Sequence, residues 1–72
     1  MRVNYEILNI LYHMEAWSKI VAATQKEIIA ALAGEKVIFT EKTIYLHLRA
    51  LIRLWYVKYG ILKLNAKTYY VS

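Results

Sequence analysis

The chain of 72 residues contains no cysteine, no proline and no aspartate, and only two glycines. The lack of cysteine excludes a disulfide framework and a thiolate metal site, and it favours a reducing compartment. With so little proline and glycine, and with no repeat or linker, the chain favours continuous elements joined by short turns. No apolar run approaches the roughly 20 residues that span a bilayer, and Glu6, Asn9 and His13 interrupt the segment in which a signal peptide would lie. We therefore expect one complete, cytoplasmic domain over residues 1–72.

Negative charge is missing from the second half of the chain. All five acids are glutamates at or before Glu41, whereas six of the ten lysines and arginines follow that residue. The formal net charge of +5 therefore comes from residues 42–72. A cationic surface on one side of a protein is typical of a chain that binds a polyanion.

Apolar residues make up 60% of the chain and include ten aromatics. A small globule buries a limited share of its surface, so some of this apolar area should lie outside and form a homodimer interface. The first helix, predicted over residues 3–17, has two apolar stripes. The stripe expected in the core comprises Val3, Ile7, Ile10, Met14 and Trp17. The stripe on nearly the opposite side, expected at the dimer interface, comprises Tyr5, Leu8, Tyr12 and Ala16.

Two further helices have recognisable starts. Thr24 and Glu27 have the spacing of a capping box, in which each side chain accepts a hydrogen bond from the other residue's backbone amide. Gly34 is placed to end this second helix in a left-handed conformation. Thr40 is the predicted N-cap of the third helix, with Phe39 and Ile44 at the two positions of a hydrophobic staple.

The third helix separates apolar from cationic residues. Its predicted core stripe comprises Ile44, Leu48, Leu51 and Trp55. Positions two residues earlier lie about 200° away around a helix, opposite the core. Those positions are Lys42, Leu46, Arg49 and Arg53.

Beyond Trp55 the residues become β-branched and aromatic, which predicts a β-hairpin with a turn around Asn65 and Ala66. In an alternative interpretation, the third helix runs on to Tyr59 and ends at Gly60. Both interpretations present a cationic turn from Lys63 to Lys67 beyond the third helix.

Three stretches resemble winged helix-turn-helix proteins. Residues 24–32 (TQKEIIAAL) are similar to the first helix of that motif, residues 43–51 (TIYLHLRAL) to the recognition helix of MarR-like and ArsR-like regulators, and residues 67–72 (KTYYVS) to the strand that closes their wing. The resemblance covers residues 18–72. It implies an α+β winged helix-turn-helix fold, with three helices followed by a two-stranded β-hairpin wing. The chain departs from the family in its longer loop after Gly34, in Leu46 on the cationic face, and in Trp55 where a glycine is usual.

The resemblance implies sequence-specific binding of double-stranded DNA by a small transcriptional regulator, most simply a repressor. The third helix would read the major groove and the wing would contact the backbone. The candidate DNA-binding residues are Thr40, Lys42, Thr43, Tyr45, Leu46, Arg49, Arg53, Lys63, Asn65 and Lys67. The expected partners are DNA and a second copy of the chain, without a membrane or a small-molecule cofactor.

Two other functions are compatible with the same residues. A winged-helix fold can serve as a protein-interaction module, and the seven tyrosines suit a protein that binds single strands or RNA. Catalytic and metal sites are not expected, because the two histidines lie on different helices and no glycine-rich phosphate loop or metal-ligand spacing occurs. His47 flanks the core stripe and is expected to be a packed or hydrogen-bonded imidazole.

Overall fold

The computed structural model describes residues 2–71, which form three helices and one three-stranded antiparallel sheet. The elements in chain order are α1 (Arg2–His13), β1 (Ala23–Thr24), α2 (Gln25–Gly34), α3 (Glu41–Arg53), β2 (Lys58–Tyr59) and β3 (Thr68–Tyr70). The sheet order is β1-β3-β2, so the last strand lies in the middle. The α+β class and the predicted hairpin are confirmed. Strand β1 was not predicted.

The three helices pack on one another, and the strands contribute Ala23, Tyr69 and Tyr70 to the same core. Six of the side chains with almost no exposure come from the helices, at Ile7, Leu11, Ile28, Ile44, Leu48 and Leu51. The predicted core stripes are therefore largely correct, since Ile10 is also buried and Val3 and Met14 pack against the same cluster. Over residues 2–71, no helix has the combination of length and apolar character that a bilayer crossing needs.

Both predicted helix starts are confirmed. Thr24 Oγ1 accepts a hydrogen bond from the Glu27 amide at 3.2 Å, and Glu27 Oε1 accepts one from the Thr24 amide at 2.8 Å. Thr40 caps α3 by accepting from the Thr43 amide at 3.2 Å. Each cap satisfies amides that the helix itself leaves without a partner, so these starts depend only on residues close in sequence.

All three helices end with a left-handed residue that is not glycine. Glu15, Lys36 and Trp55 have φ angles of 59°, 62° and 68°. The predicted role of Gly34 is wrong, because Gly34 keeps a negative φ as the last residue of α2 and Lys36 takes the left-handed position two residues later. Placing an L-residue there costs roughly 1 kcal/mol of backbone strain.

The end of α3 is a Schellman motif. Trp55 donates its amide to the Ile52 carbonyl at 3.0 Å, and Tyr56 donates to the Leu51 carbonyl at 3.0 Å. The helix therefore stops before Tyr59, and the alternative interpretation in which it continued to Gly60 is wrong. The left-handed turn also directs Trp55 away from the core, leaving it 81% exposed, so its predicted place in the core stripe is wrong.

Helix α1 ends earlier than predicted, so Ala16 and Trp17, which were assigned to it, lie beyond its end. The helix stops at His13, and the Ala16 amide closes its end by donating to the Leu11 carbonyl at 3.0 Å. Ala16 is fully buried in the protein's own core and accepts a hydrogen bond from the Val71 amide, so its assignment to the dimer interface is wrong. Trp17 is half exposed and packs on Tyr12 instead of lying in the core, with ring centroids 5.7 Å apart.

The loop between β2 and β3 ends in a two-residue turn. Lys63 and Ala66 exchange backbone hydrogen bonds of 3.0 and 2.9 Å, which places Leu64 and Asn65 at the tip, one residue earlier than predicted. Both tip residues have positive φ, of 52° and 66°, as in a type I′ turn. The base of the loop is held by the buried Thr68 hydroxyl, which donates to the Ile61 carbonyl at 2.6 Å.

Candidate nucleic-acid interface

The exposed side of α3 carries the predicted cationic residues. Lys42, Leu46, Arg49 and Arg53 are exposed, while Ile44, Leu48 and Leu51 on the opposite side are buried. In the first turn, the Thr40 hydroxyl donates to the Thr43 hydroxyl at 2.9 Å. The structure therefore brings the α3 candidates onto one helix face and its N-terminal end.

Arg49 is held in place by a neighbouring ring. Its guanidinium carbon lies 5.7 Å from the centre of the Tyr45 ring, and its Nη1 donates to the Tyr45 hydroxyl at 3.3 Å. Within residues 2–71, the ion pairs are Arg2 with Glu6 and Lys63 with Glu27, so the cations of α3 have no carboxylate partner. Unpaired cations on an ordered helix face are available to bind an external anion.

The loop between β2 and β3 lies across an open groove from Tyr45. This groove has a volume of about 600 Å³ and is also lined by the start of α2. Its walls contain three lysines, Lys26, Lys63 and Lys67, and one acid, Glu27. The groove thus joins the α3 surface to the hairpin tip, although their residues are about 20 positions apart in the sequence.

Lys63 connects the hairpin tip to α2. Its Nζ lies 2.8 Å from Glu27 Oε2, and this hydrogen bond, followed by that from the Thr24 amide, lowers the pKa of Glu27. Lys63, one of the candidates for DNA contact, is thus paired within the chain. The pair remains accessible, with 53% of the Lys63 side chain and 41% of the Glu27 side chain exposed, so its net contribution to stability is small.

Lys67 and two tyrosines form a second cation–ring cluster beside the groove. The Lys67 ammonium lies 5.3 Å from the centre of the Tyr59 ring, which in turn packs on Tyr69 at 5.5 Å. Burial raises the pKa of Tyr69, and the nearby Tyr59 and Tyr45 hydroxyls raise it further. Tyr69 and Tyr70 are buried, so both rings belong to the core.

The chemistry available on this surface is that of anion binding, since ammonium, guanidinium and hydroxyl groups all donate hydrogen bonds to phosphate oxygens. No protein-family model, curated protein or solved structure matches the chain. The function is therefore inferred from the side chains of this chain alone.

Three residues at this surface were not predicted from the sequence. Lys26 lines the groove from the first turn of α2, Tyr59 supports Lys67, and Leu64 projects from the tip beside the predicted Asn65. Lys26 directly precedes the capping glutamate, so its exposure follows from the predicted cap. The positions of Tyr59 and Leu64 depend on the hairpin register, which the sequence pattern gave one residue too late.

An apolar surface, separate from the cationic face of α3, includes three of the four predicted dimer residues. Tyr5 and Tyr12 are exposed and Leu8 is half-buried. Leu8 and Tyr12 line a shallow groove of about 770 Å³ together with Trp17, Tyr56 and Val71. This groove carries no formal charge on the residues that line it.

His47 links α3 to α1. Its Nδ1 lies 2.7 Å from Asn4 Oδ1, so the imidazole is hydrogen-bonded, as predicted. Within the described residues, no group of three or more histidine or acidic side chains is arranged to hold a metal ion.

Proposed function

We propose that this protein is a small winged-helix regulator that binds double-stranded DNA, with α3 in the major groove and the β2–β3 hairpin as its wing. The order of helices and strands supports this assignment, since a helix pair is followed by a hairpin whose last strand pairs with β1. The observation that carries the proposal is the groove shared by Tyr45 of α3 and the lysines of the hairpin tip. A surface that combines a cationic helix with an adjacent cationic loop matches two neighbouring parts of a duplex.

The dimensions and the chemistry of α3 suit a major groove. Its 13 residues span about 20 Å at 1.5 Å per residue, and a major groove about 12 Å wide admits a helix. Arg49 carries the donors that pair with a guanine edge, and Leu46 offers an apolar contact for a thymine methyl group. Thr43 and Lys42, in the first turn, are placed for the phosphate backbone.

The test is a titration of duplex DNA at several salt concentrations, followed by fluorescence anisotropy. The cationic candidates without a carboxylate partner among the described residues are Lys42, Arg49, Arg53 and Lys67. If each neutralises one phosphate, log K falls with log salt with a slope of about −3.6 per subunit. Failure of the wild-type protein to bind random duplex DNA at micromolar concentration and low salt would contradict the proposal.

Two substitutions separate base reading from backbone contact. Arg49→Ala should reduce discrimination between sequences, whereas Lys67→Ala should weaken binding to all sequences and flatten the salt slope by about 0.9. Arg2→Gln is the matched control, because it removes one charge from α1, outside the proposed interface. Equal effects of Arg49→Ala and Lys67→Ala on every sequence would show that α3 does not read bases.

The exposed stripe of α1 supports a homodimer as the active form. Tyr5, Leu8 and Tyr12 present apolar and aromatic surface of the kind enriched at the cores of protein interfaces. Light scattering should give twice the chain mass for the wild type and a lower mass for Tyr12→Lys. Selection from a random duplex library should then yield two symmetric half-sites about one helical turn apart, and occupancy of such a site would repress transcription.

Single-stranded nucleic acid is the second candidate ligand. Tyr45 and Tyr59, which lie beside Arg49 and Lys67, provide exposed rings on which bases can stack. Competition between duplex and single-stranded forms of one oligonucleotide distinguishes the two functions. A preference for the single strand would replace the duplex assignment.

A further inference from the structure

The side chain at the tip of the hairpin has an unusual position for a leucine. Leu64 is 97% exposed and has a φ of 52°. Turns of this kind favour asparagine, aspartate or glycine, because other L-residues are strained at positive φ. Leu64 therefore gains neither burial nor a relaxed backbone within the protein, and residues that break local rules in this way are concentrated at functional sites.

The turn that carries Leu64 is anchored from two sides. Lys63 and Ala66 exchange backbone hydrogen bonds across the turn, and the Lys63 ammonium binds Glu27 at the start of α2. Leu64 lines the groove together with Tyr45. The backbone that carries this side chain is thus held beside the start of α2 and is not a free loop.

The neighbours of Leu64 are groups that bind nucleic acid. Lys67 supplies a cation without a carboxylate partner among the described residues, Lys63 supplies a second that is paired with Glu27, and Asn65 supplies an amide beside Leu64. Residues 60–67 contain no acid. Proteins that bend DNA from the minor groove insert apolar side chains between base pairs, while basic and amide side chains contact the groove and the backbone. An anionic bilayer would also accept leucine and lysine, but the amide at the tip and the position beside α3 favour DNA.

We infer that Leu64 is a wedge that enters the minor groove, unstacks one base step and bends the duplex while α3 occupies the neighbouring major groove. This inference rests on the proposed DNA-binding function and specifies how the wing binds. The favoured site is a pyrimidine–purine step such as TA or CA, which unstacks at the lowest cost. Part of the site's specificity would then come from the ease of bending and not from hydrogen bonds to bases.

The test compares the wild type with Leu64→Asn and Leu62→Asn. Asparagine tolerates positive φ, so Leu64→Asn removes the apolar side chain without opposing the turn. Leu62→Asn makes the same chemical change two residues away, at another exposed leucine of the hairpin. Energy transfer between dyes at the two ends of a short duplex reports bending, and binding to a duplex with one central mismatch reports the cost of unstacking.

Wild type and Leu62→Asn should increase energy transfer at saturation and should bind the mismatched duplex about tenfold more tightly than the matched one, because the mismatched step is already weakly stacked. Leu64→Asn should bind both duplexes equally and leave energy transfer at the value of free DNA. Circular dichroism should show the same fold for all three proteins.

Three outcomes overturn the inference. If Leu64→Asn bends DNA as the wild type does, the wedge is wrong while the proposed DNA binding stands. If the wild type binds no duplex, both proposals fall. If Leu64→Asn loses binding to vesicles of phosphatidylserine and phosphatidylcholine but bends DNA normally, the tip is a membrane contact.

Discussion

Substitution of glycine by alanine should change the free energy of unfolding in opposite directions at the two glycines of the chain. A Cβ on Gly60 would lie 2.6 Å from Thr68 Oγ1 and 2.8 Å from the Lys19 carbonyl oxygen, and it would also overlap Ala22 Cβ. Two of these neighbours are buried side chains and the third is backbone, so none can rotate away. Gly34, by contrast, ends α2 with no atom within 4 Å of such a Cβ.

The expected magnitudes follow from these contacts. Overpacking a tight site costs about 1–3 kcal/mol. Moving Gly60 also strains the hydrogen bond of 2.9 Å that its amide donates to the Thr68 carbonyl. Loss of one such hydrogen bond costs about 1 kcal/mol. We therefore expect Gly60→Ala to lower the free energy of unfolding by about 3 kcal/mol, and Gly34→Ala to raise it by about 0.5–1 kcal/mol because alanine favours the helix.

Urea unfolding followed by circular dichroism measures both changes, with Gly34→Ala as the matched control. A loss of about 3 kcal/mol is a large part of the stability of a domain this small. If Gly60→Ala unfolds at the same urea concentration as the wild type, Gly60 does not lie against Ala22, Thr68 and the Lys19 carbonyl. The groove between the hairpin and α3 would then lose its structural basis.

Other substitutions test the caps and the pairing of Lys63. Trp55→Gly should raise the melting temperature, since it relieves about 1 kcal/mol of backbone strain, and a lower value would show that the exposed indole stabilises the fold. Thr24→Ala should lower the free energy of unfolding by about 1 kcal/mol in urea. The hydrogen bonds from Lys63 and from the Thr24 amide lower the pKa of Glu27 in the folded protein, so the stability it contributes is present above the unfolded-state pKa and is lost as the pH falls through the folded-state pKa. Glu27→Gln should flatten this loss in urea unfolding measured over a series of acidic pH values. The same variant frees Lys63, so the salt slope of DNA binding should steepen by about 0.9, and an unchanged slope would mean that Lys63 does not reach phosphate.

Helix starts were predictable because they depend on contacts within four residues. Thr24 with Glu27, and Thr40 with Thr43, satisfy backbone amides locally, and nothing distant needs to be known. The core stripes were predictable for a similar reason, since their spacing follows the period of the helix. The one-sided cations of α3 follow from the same period.

Helix ends were not predictable because the residues at the left-handed positions carry no sequence signal. Glutamate, lysine and tryptophan take conformations that usually belong to glycine, and the one glycine near a helix end misled the prediction for α2. After two of these positions a signal did remain, since the next residue, Ala16 or Val37, is apolar and packs in or against the core. Val37, for example, donates its amide to Leu32 and packs against the core, so burial of an apolar residue just past the helix offsets the strain.

Strand β1 was missed because a two-residue strand has no pattern of its own. Ala23 and Thr24 join the sheet only because they pair with Tyr69 and Thr68, more than 40 positions later. The register that creates this pairing also brings the hairpin tip over the start of α2. The groove is therefore a product of long-range pairing, and the composition of residues 60–67 alone indicated only that the tip would be cationic.

The Glu27 side chain takes part both in a helix cap and in a contact between distant parts of the chain. Its Oε1 accepts the Thr24 amide and completes the predicted capping box, while its Oε2 binds Lys63, 36 residues away. The capping hydrogen bond to Oε1 fixes the orientation of the carboxylate, which leaves Oε2 directed toward Lys63. A residue predicted only to start a helix thus also joins α2 to the hairpin tip, which the strand register has brought beside it.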